Sequence, residues 1–190
     1  MNLVDYTDKS DRAYRSRNRA PHEVTVAILH QTGLPIGDSA VPRVRAHALV
    51  RPSGEVVQLH PWLTRLLVGS GRWNAAGVSI EIEGSFPGRL DSRGRPVWYL
   101  DGKHGRDRLA DRPAQVTAAL DLLAHLKREL PSLTLLGGHR QEAGSRRGGC
   151  PGPDVWSCVA VPALASLGYQ PAPTWPGGLD IPPSWGAPTA

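Results

Sequence analysis

Cysteine, phenylalanine and methionine are all scarce in this chain: two Cys, one Phe and one Met among 190 residues. With only Cys150 and Cys158 available, a disulfide framework is not what holds the fold together. No apolar run approaches the length needed to cross a bilayer, which argues against membrane insertion. The opening residues, MNLVDYTDKSDRAYRSRNRAP, contain no apolar stretch of the kind a secretory signal requires. The expectation is therefore cytoplasmic synthesis, with lysis or injection as routes to any target outside. No internal repeat and no phosphate-binding glycine motif occurs, so no nucleotide cofactor is implied.

What is present is a chain of ordinary hydrophobic content, 40%, and of a length that suits one domain with a single core. Formal net charge is +5, carried almost wholly by arginine. Such a surface suits an anionic polymer: nucleic acid, acidic membrane or bacterial cell wall. The cluster Arg12, Arg15, Arg17 and Arg19 reads either as a nucleic-acid arm or as a solvated basic leader. Three regions follow: a polar basic leader over 1–21, a domain over 22–170, and a Pro/Gly-rich tail over 171–190 expected to lack regular structure.

Within the domain, VTVAIL (24–29) predicts a strand that ends at His30. A hairpin follows, with strands at 46–51 and 56–60 around the turn Pro52-Ser53-Gly54. VSIEIEG (78–84) alternates cleanly, placing Ser79, Glu81 and Glu83 on one face. Residues 85–111 read as a long polar loop with a short strand at Val97-Trp98-Tyr99. A helix begins near Asp111-Arg112-Pro113, with Asp as cap, and shows an apolar face of Val116, Ala119, Leu120, Leu123, Leu126 and Leu130. SLTLLGGH predicts a buried strand that ends at His139, and a last helix over 153–169 should break or restart near Pro162. Cys158 in that helix reads as a small buried thiol. Strands mixed with helices predict an α/β domain whose central mixed sheet is flanked by helices.

His30, His139 and Cys150 stand out. Each histidine ends a predicted strand, where open α/β folds place their sites. Cys150 lies in the Gly-rich stretch GGHRQEAGSRRGGCPGPDVW. Two imidazoles and a thiolate form a catalytic-type zinc set with a fourth position for water. A Cys–His nucleophilic pair and three unrelated residues are the other readings of the same spacing.

Four segments in order, VTVAILHQTG, RAHALVRPSGEVVQLHPW, WNAAGVSIEIEG and GGHRQEAGSRRGGCPGPDVW, resemble the zinc-dependent N-acetylmuramoyl-L-alanine amidases. That family includes phage amidases, cytoplasmic anhydro-muropeptide amidases and peptidoglycan recognition proteins. The resemblance implies a peptidoglycan-amidase-like fold with zinc held by His30, His139 and Cys150. It also implies hydrolysis by zinc-bound water of the amide between the muramic acid lactyl group and L-alanine. Glu81 matches the acid/base of the cytoplasmic branch, and Asn74 matches a family Asn at the site. His47, inside the 46–51 strand, reads as a substrate-pocket residue, as a residue supporting the site from behind, or equally as a packed strand histidine.

Three departures accompany the likeness. A family Tyr before the second-strand His is Ala46 here, a WHAG segment reads LVGS with Val68 in place of its His, and a family Lys is Gly148. Arg147 or Arg146 would supply the missing positive charge, although arginine cannot give up a proton. The implied partner is peptidoglycan or a muropeptide, bound by a monomer with no nucleic acid and no membrane insertion. The alternative is a non-catalytic muropeptide-binding module of the same fold. His22, His60, His104 and His125 carry no motif.

Overall fold

A computed structural model describes residues 1–143 and 147–186. Its strands are β1 (Asn2–Asp5), β2 (Arg15–Asn18), β3 (Val26–Gln31), β4 (Ala48–Val50), β5 (Glu55–Gln58), β6 (Thr64–Leu66), β7 (Gly77–Ile82), β8 (Pro87–Leu90), β9 (Pro96–Trp98), β10 (Leu135–Gly138) and β11 (Gln170–Pro171). Seven of them form one mixed sheet in the order β1-β5-β4-β7-β3-β10-β11. Only the β4–β5 hairpin is antiparallel. The helices are α1 (Pro113–Glu129), α2 (Arg140–Ala143), α3 (Pro153–Val155) and α4 (Val161–Ser166).

The central strands β3 and β7 are buried on both faces, as near-continuous apolar runs in a parallel sheet should be. Ala27, Leu29, Val78, Ile80 and Leu136 pack on one face against Leu122, Leu123 and Leu126 of α1 and Val155 and Val159 of the C-terminal helix. Val26 and Ile28 point the other way, toward Trp73 and Ala172. By the same alternation His30 continues the Val26–Ile28 face, away from α1. No helix of the described residues is long and apolar enough to cross a membrane.

Several local expectations are corrected. The polar leader is built into the domain: β1 extends the sheet beside β5, and β2 pairs with β6. Three of its four clustered arginines are engaged within the chain, while Arg12 stays exposed. Arg19 is buried, and its guanidinium donates to the carbonyls of Trp62 (2.9 Å), Thr64 (3.0 Å) and Gly77 (3.0 Å). Arg15 donates to His60 Nδ1 at 3.0 Å, and Arg17 pairs with Glu23 at 2.5 Å. Five donors in a rigid fork let one arginine tie together carbonyls from the Trp62 loop and the first residues of β6 and β7.

The 85–111 insertion holds a hairpin, β8–β9, rather than a lone strand. Asp111 does not cap α1; it ends a 3-10 turn, and Arg112 takes the cap position. The buried face of α1 is centred on Ala118, Leu122 and Leu126, so Val116 and Leu120 are only partly covered. Pro162 does not break the last helix. A π turn over Trp156–Ala160 precedes it, so the position lacking an N–H is taken up inside a continuous helical path. Cys158 lies on that turn, half-buried, and both cysteines are free.

The tail is mostly irregular yet docked. β11 pairs with β10, Trp175 and Leu179 donate backbone hydrogen bonds to Gln141 and Arg140 near 2.9 Å, and Trp185 enters the core. Arg19→Ala is expected to lower stability by about 2–4 kcal/mol, because it strands several buried carbonyls at once. In a thermal melt the midpoint should fall by roughly 5–15 °C. Arg19→Lys should recover less than half of that loss.

Candidate active site

Three adjacent parallel strands deliver the site. His30 pairs in register with Glu81 across β3–β7, which puts the two side chains on one face. Leu29 pairs with Gly138 across β3–β10, so His139, the next residue along, arrives beside His30. The two imidazole centroids are 4.6 Å apart. Cys150 comes from the loop between α2 and α3, and its Sγ lies 3.8 Å from His30 Nδ1. One donor atom from each of His30, His139 and Cys150 lies within 4.8 Å of the others, and all three residues are buried. This set fits a zinc ion: two imidazoles and a thiol are its preferred donors, at a spacing that one ion can bridge.

What holds these residues was not visible in their motifs. Gln31, next to His30, points to the opposite face and clamps the cysteine loop. Its Nε2 donates to the carbonyls of Pro151 (2.8 Å) and Gly149 (3.2 Å), while Oε1 accepts from Phe86 N at 3.0 Å. Gly138 has no room for a side chain, since a Cβ there would meet Pro151 Cδ at 2.5 Å. On the far side of His30, Nε2 is 2.8 Å from Ser70 Oγ, which lies 2.5 Å from Ser79 Oγ. The tautomer that offers a lone pair at Nδ1 carries its hydrogen on Nε2 and donates it to Ser70. Ser70 is the residue of the LVGS segment that sequence reasoning passed over in favour of Val68.

Burial sets the electrostatics. It pulls His30 well below the usual histidine range and His139 down to about 4, so both imidazoles are neutral at neutral pH. It raises the Cys150 thiol and lifts Glu81 to about 7, with Arg147 opposing both shifts. Glu81 keeps 19% of its side chain open, and its Oε1 is 4.0 Å from His30 Nδ1. Glu83, two residues on, turns to Arg51 (3.3 Å) and accepts from Ile36 N (2.7 Å), which is a structural role.

His30, His139, Cys150, Glu81 and Arg147 line one cavity of about 180 Å³. A larger open cleft of about 620 Å³ adjoins it, sharing Arg45, Gly69, His139 and Arg147 and bordered also by Asn74. Asn74 Oδ1 accepts from Ser70 N at 3.0 Å, so it braces the histidine's hydroxyl partner as well as edging the cleft. His47 is not brought to the cleft: of its readings, the pocket one is corrected and the packed strand histidine is what the structure shows. It is fully buried, with Nδ1 accepting from Ser79 N (3.0 Å) and Nε2 bonded to Thr64 O (2.8 Å), and neither ring nitrogen remains for a ligand. Arg146 lies outside the described residues. Tyr99, which no motif marked, lines the small cavity as well.

Residues 6–153 match the sequence model of the family described as N-acetylmuramoyl-L-alanine amidase. None of the curated protein sequences matches significantly. Among solved structures the fold is similar to the N-acetylmuramoyl-L-alanine amidase LysC from Clostridium intestinale URNW, with TM-score 0.57, 15% identity, and 90% of this chain and 99% of that one covered. It is similar to the Ph2119 endolysin from the Thermus scotoductus MAT2119 bacteriophage Ph2119, with TM-score 0.53, 20% identity and coverage of 89% and 100%. It is also similar to Drosophila Peptidoglycan Recognition Protein (PGRP)-SA, with TM-score 0.57, 14% identity and coverage of 90% and 95%. At these identities the likeness establishes the mixed-sheet fold.

The buried imidazole behind the site gives a test of its packing. Burial lowers His47 from 6.5 to about 3. The unfolded chain therefore takes up this proton first as pH falls, and stability is full above about 6.5 and declines below it. At pH 5 the loss from this residue should be about 2 kcal/mol relative to pH 7.5. Urea midpoints of wild type and His47→Asn at the two pH values should show that extra loss in wild type alone.

Proposed function

The chain belongs to the N-acetylmuramoyl-L-alanine amidase family, and from that premise we propose that it hydrolyses the amide between the lactyl group of N-acetylmuramic acid and L-alanine, in peptidoglycan or its muropeptides, with one zinc ion as cofactor. The observation that supports this reading best is the meeting of His30, His139, Cys150 and Glu81 in one cavity at the end of an open cleft. A binding module needs the cleft but not a carboxylate held beside three metal donors.

His30, His139 and Cys150 would hold the ion, which when bound supplies a Lewis acid that acidifies water and polarises the amide carbonyl. Ser70 and Ser79 fix the His30 ring, and Gln31 fixes the backbone on either side of Cys150. Glu81 takes the proton from the attacking water at its carboxylate and returns it to the departing amine nitrogen. Burial lifts that carboxyl to about 7 before any cation is bound beside it. Arg147 places positive charge where the carbonyl oxygen becomes negative; it cannot transfer a proton, so proton movement falls to Glu81. The net charge of +5 draws the anionic wall polymer toward the cleft.

Purified muropeptides incubated with the protein should yield free L-alanine-terminated peptide, identified by mass spectrometry. Cleavage should vanish with a chelator, return with added zinc, and be absent in Cys150→Ala. Glu81→Gln should lower kcat by about 10²–10⁴-fold with zinc stoichiometry unchanged. Ser70→Ala should weaken zinc affinity by about 10–100-fold in a competition titration. Tight muropeptide binding by zinc-loaded wild type without any cleavage would instead identify a recognition module. Intact sacculi assayed beside soluble fragments would separate wall lysis from fragment processing.

A further inference from the structure

Tyr99 follows β9 in the polar insertion, and its ring is wedged among glycines from three separate parts of the chain. A Cβ on Gly33, in the loop after β3, would come within 2.7 Å of Tyr99 Cδ1. On the other edge, a Cβ on Gly88 of β8 or Gly149 of the cysteine loop would come within 3.2 Å or 3.0 Å of Cδ2. A side chain at any of the three positions would crowd the ring. The two residues after it, Leu100 (φ 53) and Asp101 (φ 56), are the only non-glycine residues among those described with positive φ. Such conformations are unfavourable for L-residues and persist where the surroundings over-determine them, often at functional sites.

All of this holds one hydroxyl at the cavity that contains His30, His139, Cys150 and Glu81. Tyr99 Oη accepts a hydrogen bond from Arg147 Nη1 at 3.4 Å. Arginine can only donate, so the phenol's own hydrogen is left to turn toward whatever occupies the cavity. A ring that served only as a wall would need the packing but not the polar end beside the arginine.

We propose that Tyr99 is a catalytic residue, its hydroxyl donating a hydrogen bond to the carbonyl oxygen of the amide under attack. The role rests on the amidase reading above. As the water oxygen bonds to the carbonyl carbon, the π pair moves onto the carbonyl oxygen, and the Tyr99 hydrogen bond strengthens with the growing charge. The phenol keeps its proton throughout. When the C–N bond breaks, that pair returns to re-form the carbonyl, and the amine nitrogen takes the proton held by Glu81. Arg147 orients the phenol and shares the charge. The hydroxyl donor thus comes from the insertion, a part of the chain where no motif drew notice.

Tyr99→Phe tests this, because it keeps the ring among its three glycines and removes only the hydroxyl. Steady-state cleavage of a soluble muropeptide by zinc-loaded protein should show kcat lowered about 100-fold, with KM changed less than about threefold. Zinc stoichiometry and the melting midpoint should match wild type. Unchanged kcat, a loss confined to KM, or a loss that tracks missing zinc would each overturn the role while leaving the amidase reading intact. A zinc-loaded wild type that binds muropeptide without cleaving it would overturn both.

Discussion

Register between three parallel strands is the constraint on which the site depends. β7, β3 and β10 lie side by side, and pairing of His30 with Glu81 and of Leu29 with Gly138 brings two metal-type donors and a carboxylate to one sheet end. Because strand side chains alternate, a slip of one residue in β3 would send His30 toward α1 and out of reach of His139 and Cys150. The apolar pattern forbids that slip. Ala27 and Leu29 belong to the α1-side core and Val26 and Ile28 to the opposite one, so moving β3 by one residue would disturb both packed faces. The core thereby sets the chemistry.

Cys150 needs a different device, since a loop has no ladder to hold it. Gln31 provides it from the strand end, reaching carbonyls on both sides of the cysteine with one amide nitrogen and the backbone of Phe86 with its oxygen. Arg140 N donates to the Cys150 carbonyl at 2.9 Å, and its guanidinium donates to Gly148 O at 2.6 Å. Similar logic governs the leader, where Arg19 gathers carbonyls at the starts of β6 and β7 and in the loop before β6. In both places a buried polar side chain satisfies irregular backbone that would otherwise lie unpaired in a dry interior. Residues that touch no ligand are therefore bound closely to the geometry of those that would.

Burial gives the site its electrostatic character. The surroundings that keep both imidazoles neutral, and so able to offer lone pairs, also lift Glu81 into the range where it exchanges protons at neutral pH. Arg147 is the nearby cation that tempers the effect, and through Tyr99 it ties the insertion to the strand ends. A cavity of about 180 Å³ adjoins a cleft of about 620 Å³, so the clustered donors and the carboxylate sit at the inner end of an open groove.

Much of this was legible in residue order. Apolar runs ending at His30 and His139 and the SIEIEG alternation placed those side chains at strand ends and on one strand face, because periodicity is a local property; that they meet with Cys150 was implied only by the family resemblance. The same reasoning misplaced what depends on contacts distant along the chain. Arg15 and Arg19 read as surface charge until their carbonyl and imidazole partners were seen, and His47 read equally as a pocket or a packed residue until both ring nitrogens were found engaged behind Ser79. Ser70, Gln31 and Tyr99 carried no signal, since each acts on atoms 40 or more residues away. Local pattern by itself determined the central strands, the long helix and the α/β class. Tertiary structure alone decided which polar groups hold them in place, because a buried hydrogen-bond partner is selected by proximity in the folded chain and leaves no period in the sequence.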